Sequence, residues 1–196
     1  MAVADILNGP VVIWKAPVGE ALPDDSTGVG VAWGGNWETY AYTKAPLSCN
    51  YTATELEIMV QQELTAVNRV KSGENLTFET VLAEITSARM AVATSGTPST
   101  TAAAAGQVGK DELDVGGESA IDQYAWGFEG TYVDSSGTQF PARWFMYKGT
   151  ANLNAAQEWS VADYPGIPIQ VKALVDTTKS AGSKLFKFQR VTAAAA

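Results

Sequence analysis

Ile167-Pro168-Ile169-Gln170-Val171-Lys172-Ala173-Leu174-Val175 reads as a strand with one continuous apolar face. Ile167, Ile169, Val171, Ala173 and Val175 recur at every second position, while Pro168, Gln170, Lys172, Leu174 and Asp176 take the other side. A period of two marks an extended chain buried on one face. Around it, strand-like runs at 123–133, 138–148, 152–161 and 185–191 are separated by the turn signals Asp134-Ser135-Ser136-Gly137, Lys148-Gly149, Pro165-Gly166 and Ser180-Ala181-Gly182.

The first half carries the same signals. Val11-Val12-Ile13-Trp14 follows the turn pair Gly9-Pro10 and suits a buried strand. Residues 17–36 hold Pro17, Pro23, five glycines and Asp24-Asp25, so no single regular element fits them. Aromatic and Thr-rich runs at 37–43 and 47–52 flank Pro46, a bend or edge. From Thr54, Glu55, Glu57, Met59 and Gln61 share one face, and Leu56, Ile58, Val60 and Gln62 the other. Alternation resumes with Leu76, Phe78 and Thr80 against Asn75, Thr77, Glu79 and Val81, so the two runs are expected to pair as a long hairpin. Ile85, Ala88 and Val92 are spaced for one short amphipathic helix over 84–92. Residues 94–109 are mostly Ala, Ser, Thr and Gly, with Pro98, Gln107 and Val108, and read as a low-complexity linker or mobile loop. The sum is a mainly β chain: a sandwich or barrel with one short flanking helix.

A chain of 196 residues suits a single domain, here expected over 11–189, with arms at 1–10 and 190–196. Charged residues make up only 17%, which suits a surface that packs against neighbours. Twenty-one acids against 13 bases give a net charge of −8, a sign that opposes tight binding to phosphate backbones or anionic lipid. The absence of histidine removes Ser-His-Asp and Cys-His catalysis and His zinc ligation. A single cysteine, Cys49, forbids an internal disulfide or a Cys cluster, and its strand-like setting points to packing. No run approaches twenty apolar residues and the first residues lack a signal core, so neither a membrane helix nor a signal peptide is expected. The sequons at Asn50 and Asn75 are then chance matches.

The remaining chemical candidates are weak. Asp24-Asp25 lies in a Pro/Gly loop and reads as a solvated turn. Glu55 and Glu57 stand about 6.6 Å apart along a strand, a glycosidase-like spacing, but such sites draw their acids from different elements. Asp111-Glu112-Leu113-Asp114 lacks the ligand spacing of a calcium loop and reads as an exposed strand or loop. Gly28-Val29-Gly30 continues into Trp33-Gly34-Gly35, which breaks the dinucleotide-binding spacing. Tryptophans at 14, 33, 37, 126, 144 and 159 fit core or interface anchors better than a sugar-stacking platform. The chain therefore reads as no enzyme and as needing no cofactor or metal.

Several fragments, in order, resemble the major tail tube proteins of long-tailed, non-contractile bacteriophages. They are Gly9-Pro10-Val11-Val12, Ala16-Pro17-Val18-Gly19 with Leu22-Pro23-Asp24-Asp25, Trp33-Gly34-Gly35-Asn36-Trp37, Glu55-Leu56-Glu57, Arg69-Val70-Lys71-Ser72-Gly73-Glu74 and Thr77-Phe78-Glu79-Thr80. The resemblance covers residues 9–93; the second half agrees only in β character. It implies a β-sandwich with one helix, assembled as hexameric rings that stack into a hollow tube, each subunit adding four strands to an inner barrel. Six such sets at a spacing of about 4.8 Å and a tilt near 45° close a wall roughly 160 Å around and about 50 Å across, leaving about 40 Å free of side chains. Duplex DNA, about 20 Å wide, passes through such an opening.

Residues 53–84 hold six acids (Glu55, Glu57, Glu63, Glu74, Glu79, Glu84) against Arg69 and Lys71, a net of −4. Under the resemblance, Glu55, Glu57, Met59, Gln61, Thr77 and Glu79 are expected to line the lumen, their acids repelling DNA during ejection. Residues 62–73 are expected to form an inter-ring loop in which Arg69 and Lys71 meet acidic partners. The implied partners are the chain itself, a tape-measure protein in the lumen, tail terminator and distal tail proteins, and double-stranded DNA in transit, without a membrane. The implied location is the virion tail, after assembly in the bacterial cytoplasm. The competing expectation is a non-catalytic carbohydrate-binding β-sandwich.

Overall fold

The computed structural model describes residues 7–134, 136–154 and 163–193. Its strands are β1 (Leu7–Pro17), β2 (Glu38–Thr39), β3 (Ser48–Ile58), β4 (Asn68–Leu82), β5 (Thr97–Thr101), β6 (Lys110–Asp114), β7 (Gln123–Val133), β8 (Gln139–Leu153), β9 (Ile167–Ala173) and β10 (Phe186–Arg190), with one helix, α1 (Ser87–Thr94). The chain is mainly β, and eight strands form one antiparallel sheet in the order β2-β1-β7-β8-β9-β4-β3, with β10 also on β8. Strands β5 and β6 make a separate hairpin.

Strand β8 forks the sheet. One edge pairs with β7 along its length, whereas the other pairs with β10 over Ala142–Met146 and with β9 over Gly149–Leu153. Gly149 lies at the fork, where a Cβ would come within 2.3 Å of Met146 Sδ and 2.9 Å of the Lys172 carbonyl. It is therefore a point of close strand approach, and the turn expected at Lys148-Gly149 does not form. Gly149→Ala is expected to cost about 1–3 kcal/mol in urea unfolding, because the strands on either side must move apart.

Past the fork the sheet folds on itself. Phe78 of β4 stacks on Phe128 of β7 with ring centroids 4.1 Å apart, although β8 and β9 separate the two strands in hydrogen-bonding order. Ile167, Ile169 and Val171 turn into the same core with Ile13, Leu76, Leu82, Trp126 and Met146, as the period-two pattern requires. A second cluster, Trp14, Ala16, Trp33, Trp37, Ala125 and Phe145, lies on the other face of β1-β7-β8 under the irregular loop at 18–37. Gly127 lets this loop approach: a Cβ there would stand 2.2 Å from the Trp33 ring. Both faces of β7 are thus buried.

Helix α1 starts later than its spacing suggested. Thr86 is the N-cap, its hydroxyl accepting from the Arg89 N–H at 3.2 Å, and the buried face is Ser87, Ala91, Val92 and Ala93. Ile85 precedes the helix and Ala88 is exposed, so of the expected stripe only Val92 is buried. Side-chain capping by Thr86 fixes the start, overriding the apolar spacing. The run at 37–43 shortens to Glu38–Thr39 plus a bridge from Thr43 to Leu82, while 48–58 is one uninterrupted strand.

Within the 94–109 segment read as a linker, Thr97–Thr101 form a strand paired with Lys110–Asp114, and 102–109 is the connection between the two strands. Thr is β-prone, and Asp111 anchors the pair of strands to Ser87 at the start of α1. Asn152 and Leu153 end β8; the rest of the run expected at 152–161 falls mostly outside the described residues, as does Trp159. The expected N-terminal arm enters the main sheet from Leu7 onward, and the C-terminal one begins inside β10 at Arg190. Residues 1–6 and 194–196 lie outside the described residues.

Candidate functional site

The β3–β4 hairpin projects beyond the body of the protein. Every residue of β3 and the first part of β4, through Asn75, is exposed; burial begins at Leu76. Eleven residues of β3 pair with β4, but the other edge of β3 has no strand partner among the described residues. Leu56 stands opposite Val70, and Ile58 opposite Asn68, so Leu56, Ile58 and Val70 form an apolar stripe on one face. Met59, Val60, Leu64 and Val67 add to it at the tip, Leu64 being fully exposed. An isolated hairpin is marginal in water, and a contiguous exposed apolar patch marks an interaction surface.

The opposite face is held by charge. Arg69 Nη2 lies 2.8 Å from Glu57 Oε1 on its cross-strand neighbour. Lys71 Nζ donates to Glu74 Oε1 at 2.7 Å and to the Tyr51 hydroxyl at 3.1 Å, while Tyr51 donates to Glu74 at 2.7 Å. These bonds hold the Lys71 ammonium charged well above its usual range and the Glu74 carboxyl below its own. A bulge at Ser72, between the pairs Thr54–Gly73 and Glu55–Lys71, brings Lys71 onto this face.

Two expectations change here. The connection between the strands is 59–67, so Arg69 and Lys71 are strand residues already paired within the chain, not loop residues awaiting partners. The expected lumen set also divides. Asn50 pairs with Thr77 and Ser48 with Glu79, so Thr77 and Glu79 share a face with the even-numbered residues of β3; Glu55 and Glu57 take the opposite face, and Met59 and Gln61 lie past the strand end. Residues directly opposite on two strands always share a face, and that pairing overrides any grouping by charge.

Thr77 and Glu79 belong to a polar wall. With Asn50 and Thr52 of β3, Gln170 and Lys172 of β9, and Thr150 and Asn152 of β8, they form the face turned away from the core across four hydrogen-bonded strands. Gln170 Nε2 and Asn154 Nδ2 both donate to Glu79 Oε1. Hydroxyls and amides dominate this wall, with Glu79 and Lys172 its charged members.

The other sequence candidates have structural roles. Trp14, Trp33, Trp37 and Trp126 are buried and Trp144 is half-buried against Phe186 and Phe188, so no open tryptophan platform forms among the described residues. Asp24 accepts from the Ser26 N–H at 2.8 Å and the Ser26 hydroxyl at 2.5 Å, a local turn, and Asp25 accepts from Gln189. Cys49 is exposed on β3, opposite Phe78, rather than packed as its strand-like setting suggested, because no strand covers β3 among the described residues; partial desolvation pushes its thiol pKa up, which disfavours the thiolate. No group of three or more acidic or cysteine side chains converges as a metal site among the described residues.

Two features had no signal in the sequence. Glu129 and Arg143 face each other across β7 and β8 as a buried pair, with Arg143 Nε 3.0 Å from Glu129 Oε1. Arg143 Nη2 donates to the Thr27 carbonyl at 2.5 Å, Glu129 accepts from the Gly30 N–H at 3.2 Å, and the guanidinium lies 5.5 Å from the Trp33 ring. This pair clamps the 18–37 loop onto the sheet.

Asp111 is the second. It accepts from the Ser87 N–H at 3.0 Å and from the Ser87 hydroxyl, and from the Thr100 hydroxyl at 3.2 Å, tying the β5–β6 hairpin to the first turn of α1. The Ser87 side-chain and backbone donors hold its carboxyl below the usual range. A depressed folded value means that the contribution is complete above the unfolded value near pH 4 and fades as the pH falls through the folded one. Asp111→Asn is expected to remove this acid-side part of the stability profile, checked by thermal melts from pH 6 to pH 2.

The chain matches no protein-family model, and no curated protein is significantly similar to it.

Proposed function

We propose that this chain is the repeating subunit of a phage tail tube, a structural virion protein without catalysis that polymerises through stacked hexameric rings into the conduit for genome ejection. The observation that carries this reading is the β3–β4 hairpin, whose exposed apolar stripe and strand edge, unpaired among the described residues, call for cover by another copy. A four-strand set, β3-β4-β9 with the end of β8, supports it: one face lies on the core, and the other is polar as far as Thr52, as a barrel wall with a wet lumen requires, before the same face continues into Leu56, Ile58 and Val70 of the projecting hairpin.

In this reading Glu79, Gln170 and Lys172 face the lumen, with Thr77 on the same side but buried, and the hairpin tip with Met59 reaches the adjoining ring. Such a wall offers DNA few fixed cations, so the duplex passes with its hydration intact. Tape-measure, terminator and distal tail proteins are the expected partners, and the virion tail the expected location. The buried tryptophans count against the carbohydrate-binding alternative. Negative-stain electron microscopy of the concentrated protein is the test: hollow tubes of constant width are expected, and a protein that stays monomeric at every concentration would refute the reading.

A further inference from the structure

Charge is distributed unevenly over two distant surfaces. Residues 110–122 contain Asp111, Glu112, Asp114, Glu118 and Asp122 against Lys110 alone, and residues 179–190 contain Lys179, Lys184, Lys187 and Arg190 with no acid. Within the acidic segment Lys110 is taken by Glu112 at 2.8 Å, and Asp111 serves Ser87, leaving Asp114, Glu118 and Asp122 exposed. On the basic side Lys184 and Lys187 form no ion pair among the described residues.

The two surfaces cannot meet within one molecule. Val115, just beyond β6, lines a cleft with Asn152 and Leu153 at one end of β8. Lys187 pairs with Phe145 towards the other end. At about 3.4 Å per residue, Phe145 and Leu153 are roughly 27 Å apart.

Strand β10 is also built to receive a neighbour. Among the described residues only one of its edges is paired, with β8, so the other edge is available to an added strand. Beside it lies a groove of about 730 Å³ lined by Val175, Lys184, Leu185 and Phe186 and, from the β3–β4 hairpin, by Tyr51 and the mutually paired Lys71 and Glu74. The β5–β6 hairpin matches it in chemistry: it is exposed along nearly its whole length, and Val108 and Val115 present apolar surface beside the acids.

We propose that the β5–β6 hairpin of one copy docks along β10 of a second copy, with Asp114 and Glu118 facing Lys184 and Lys187. The two surfaces differ, so the contact is head-to-tail; repeated, it generates a closed ring or an open filament rather than a two-fold dimer. It presupposes the self-assembly proposed above and names the surfaces that join.

Charge reversal tests it. One variant carries Lys184→Glu and Lys187→Glu, the other Asp114→Lys and Glu118→Lys. Each alone is expected to raise the critical concentration for assembly at least ~10-fold, because like charges then meet at every junction. An equimolar mixture is expected to assemble near the wild-type concentration, since in an alternating array every acidic surface again meets a basic one; this rescue also shows that both variants fold. Wild-type tubes together with variants that polymerise equally well, or a mixture without rescue, would overturn this contact and leave the tube reading standing. A wild-type protein that never self-associates would overturn both.

Discussion

Replacing Arg143 with alanine is expected to lower the unfolding free energy by about 3–5 kcal/mol, because it leaves the Glu129 carboxylate buried without its counter-charge. Both side chains are almost inaccessible, at 0% and 1% exposure, so water cannot take over. Among the described residues Glu129 would keep only the long bond from Gly30, and the Thr27 carbonyl would lose its Arg143 donor. The loop at 18–37 is expected to loosen with it, since Trp33 also rests against the guanidinium. Urea unfolding gives the magnitude, and limited proteolysis within 18–37 locates the change. The double change Glu129→Leu with Arg143→Met is expected to restore most of the loss, because buried ion pairs seldom outperform apolar groups of similar volume. A single variant losing less than about 1 kcal/mol would show that the pair is not the clamp described here.

Removing the apolar stripe of the hairpin is expected to abolish assembly while hardly affecting the fold of the monomer. Leu56, Ile58 and Val70 touch no core cluster, so changing all three to threonine keeps β propensity and alters monomer stability by no more than about 0.5 kcal/mol. Between copies the same side chains would be desolvated, each worth about 1.5–3 kcal/mol of buried apolar surface. Over many equivalent contacts that loss is decisive. Sedimentation of the triple variant should show only small species at concentrations where the unmodified protein forms tubes. Tubes of normal length from the triple variant would remove the hairpin from the assembly mechanism. Shortening the connection at 59–67 should act in the same way, with an unchanged melting temperature as the control for folding.

The strands were legible because their evidence is local. Alternation at 167–173 and 76–82 reports burial on one face whatever the strand pairs with, and the structure buries Ile167, Ile169, Val171, Leu76 and Phe78 accordingly. Where one local rule competes with another, sequence alone does not choose between them. Gly149 carries the same letter in a turn as in a crowded strand, and only the proximity of Met146 and Lys172 tells the two apart. The Ala- and Thr-rich stretch after α1 lacks core-forming residues and so reads as a linker, yet Thr97–Thr101 find their partner in Lys110–Asp114.

By itself the sequence determined a mainly β chain with one short helix, an acidic balance, and a chemistry without histidine, because composition and period depend on neighbours along the chain alone. Tertiary structure decided everything that requires two segments to meet. It joined Glu129 to Arg143 as a buried clamp and brought Asp111 to the start of α1. It also parted Glu55 and Glu57 from Glu79, three acids that look equivalent in a list of residues. Periodicity assigns the two faces within each strand, but which face of one strand continues into which face of the next is set only by the hydrogen-bonded register between them.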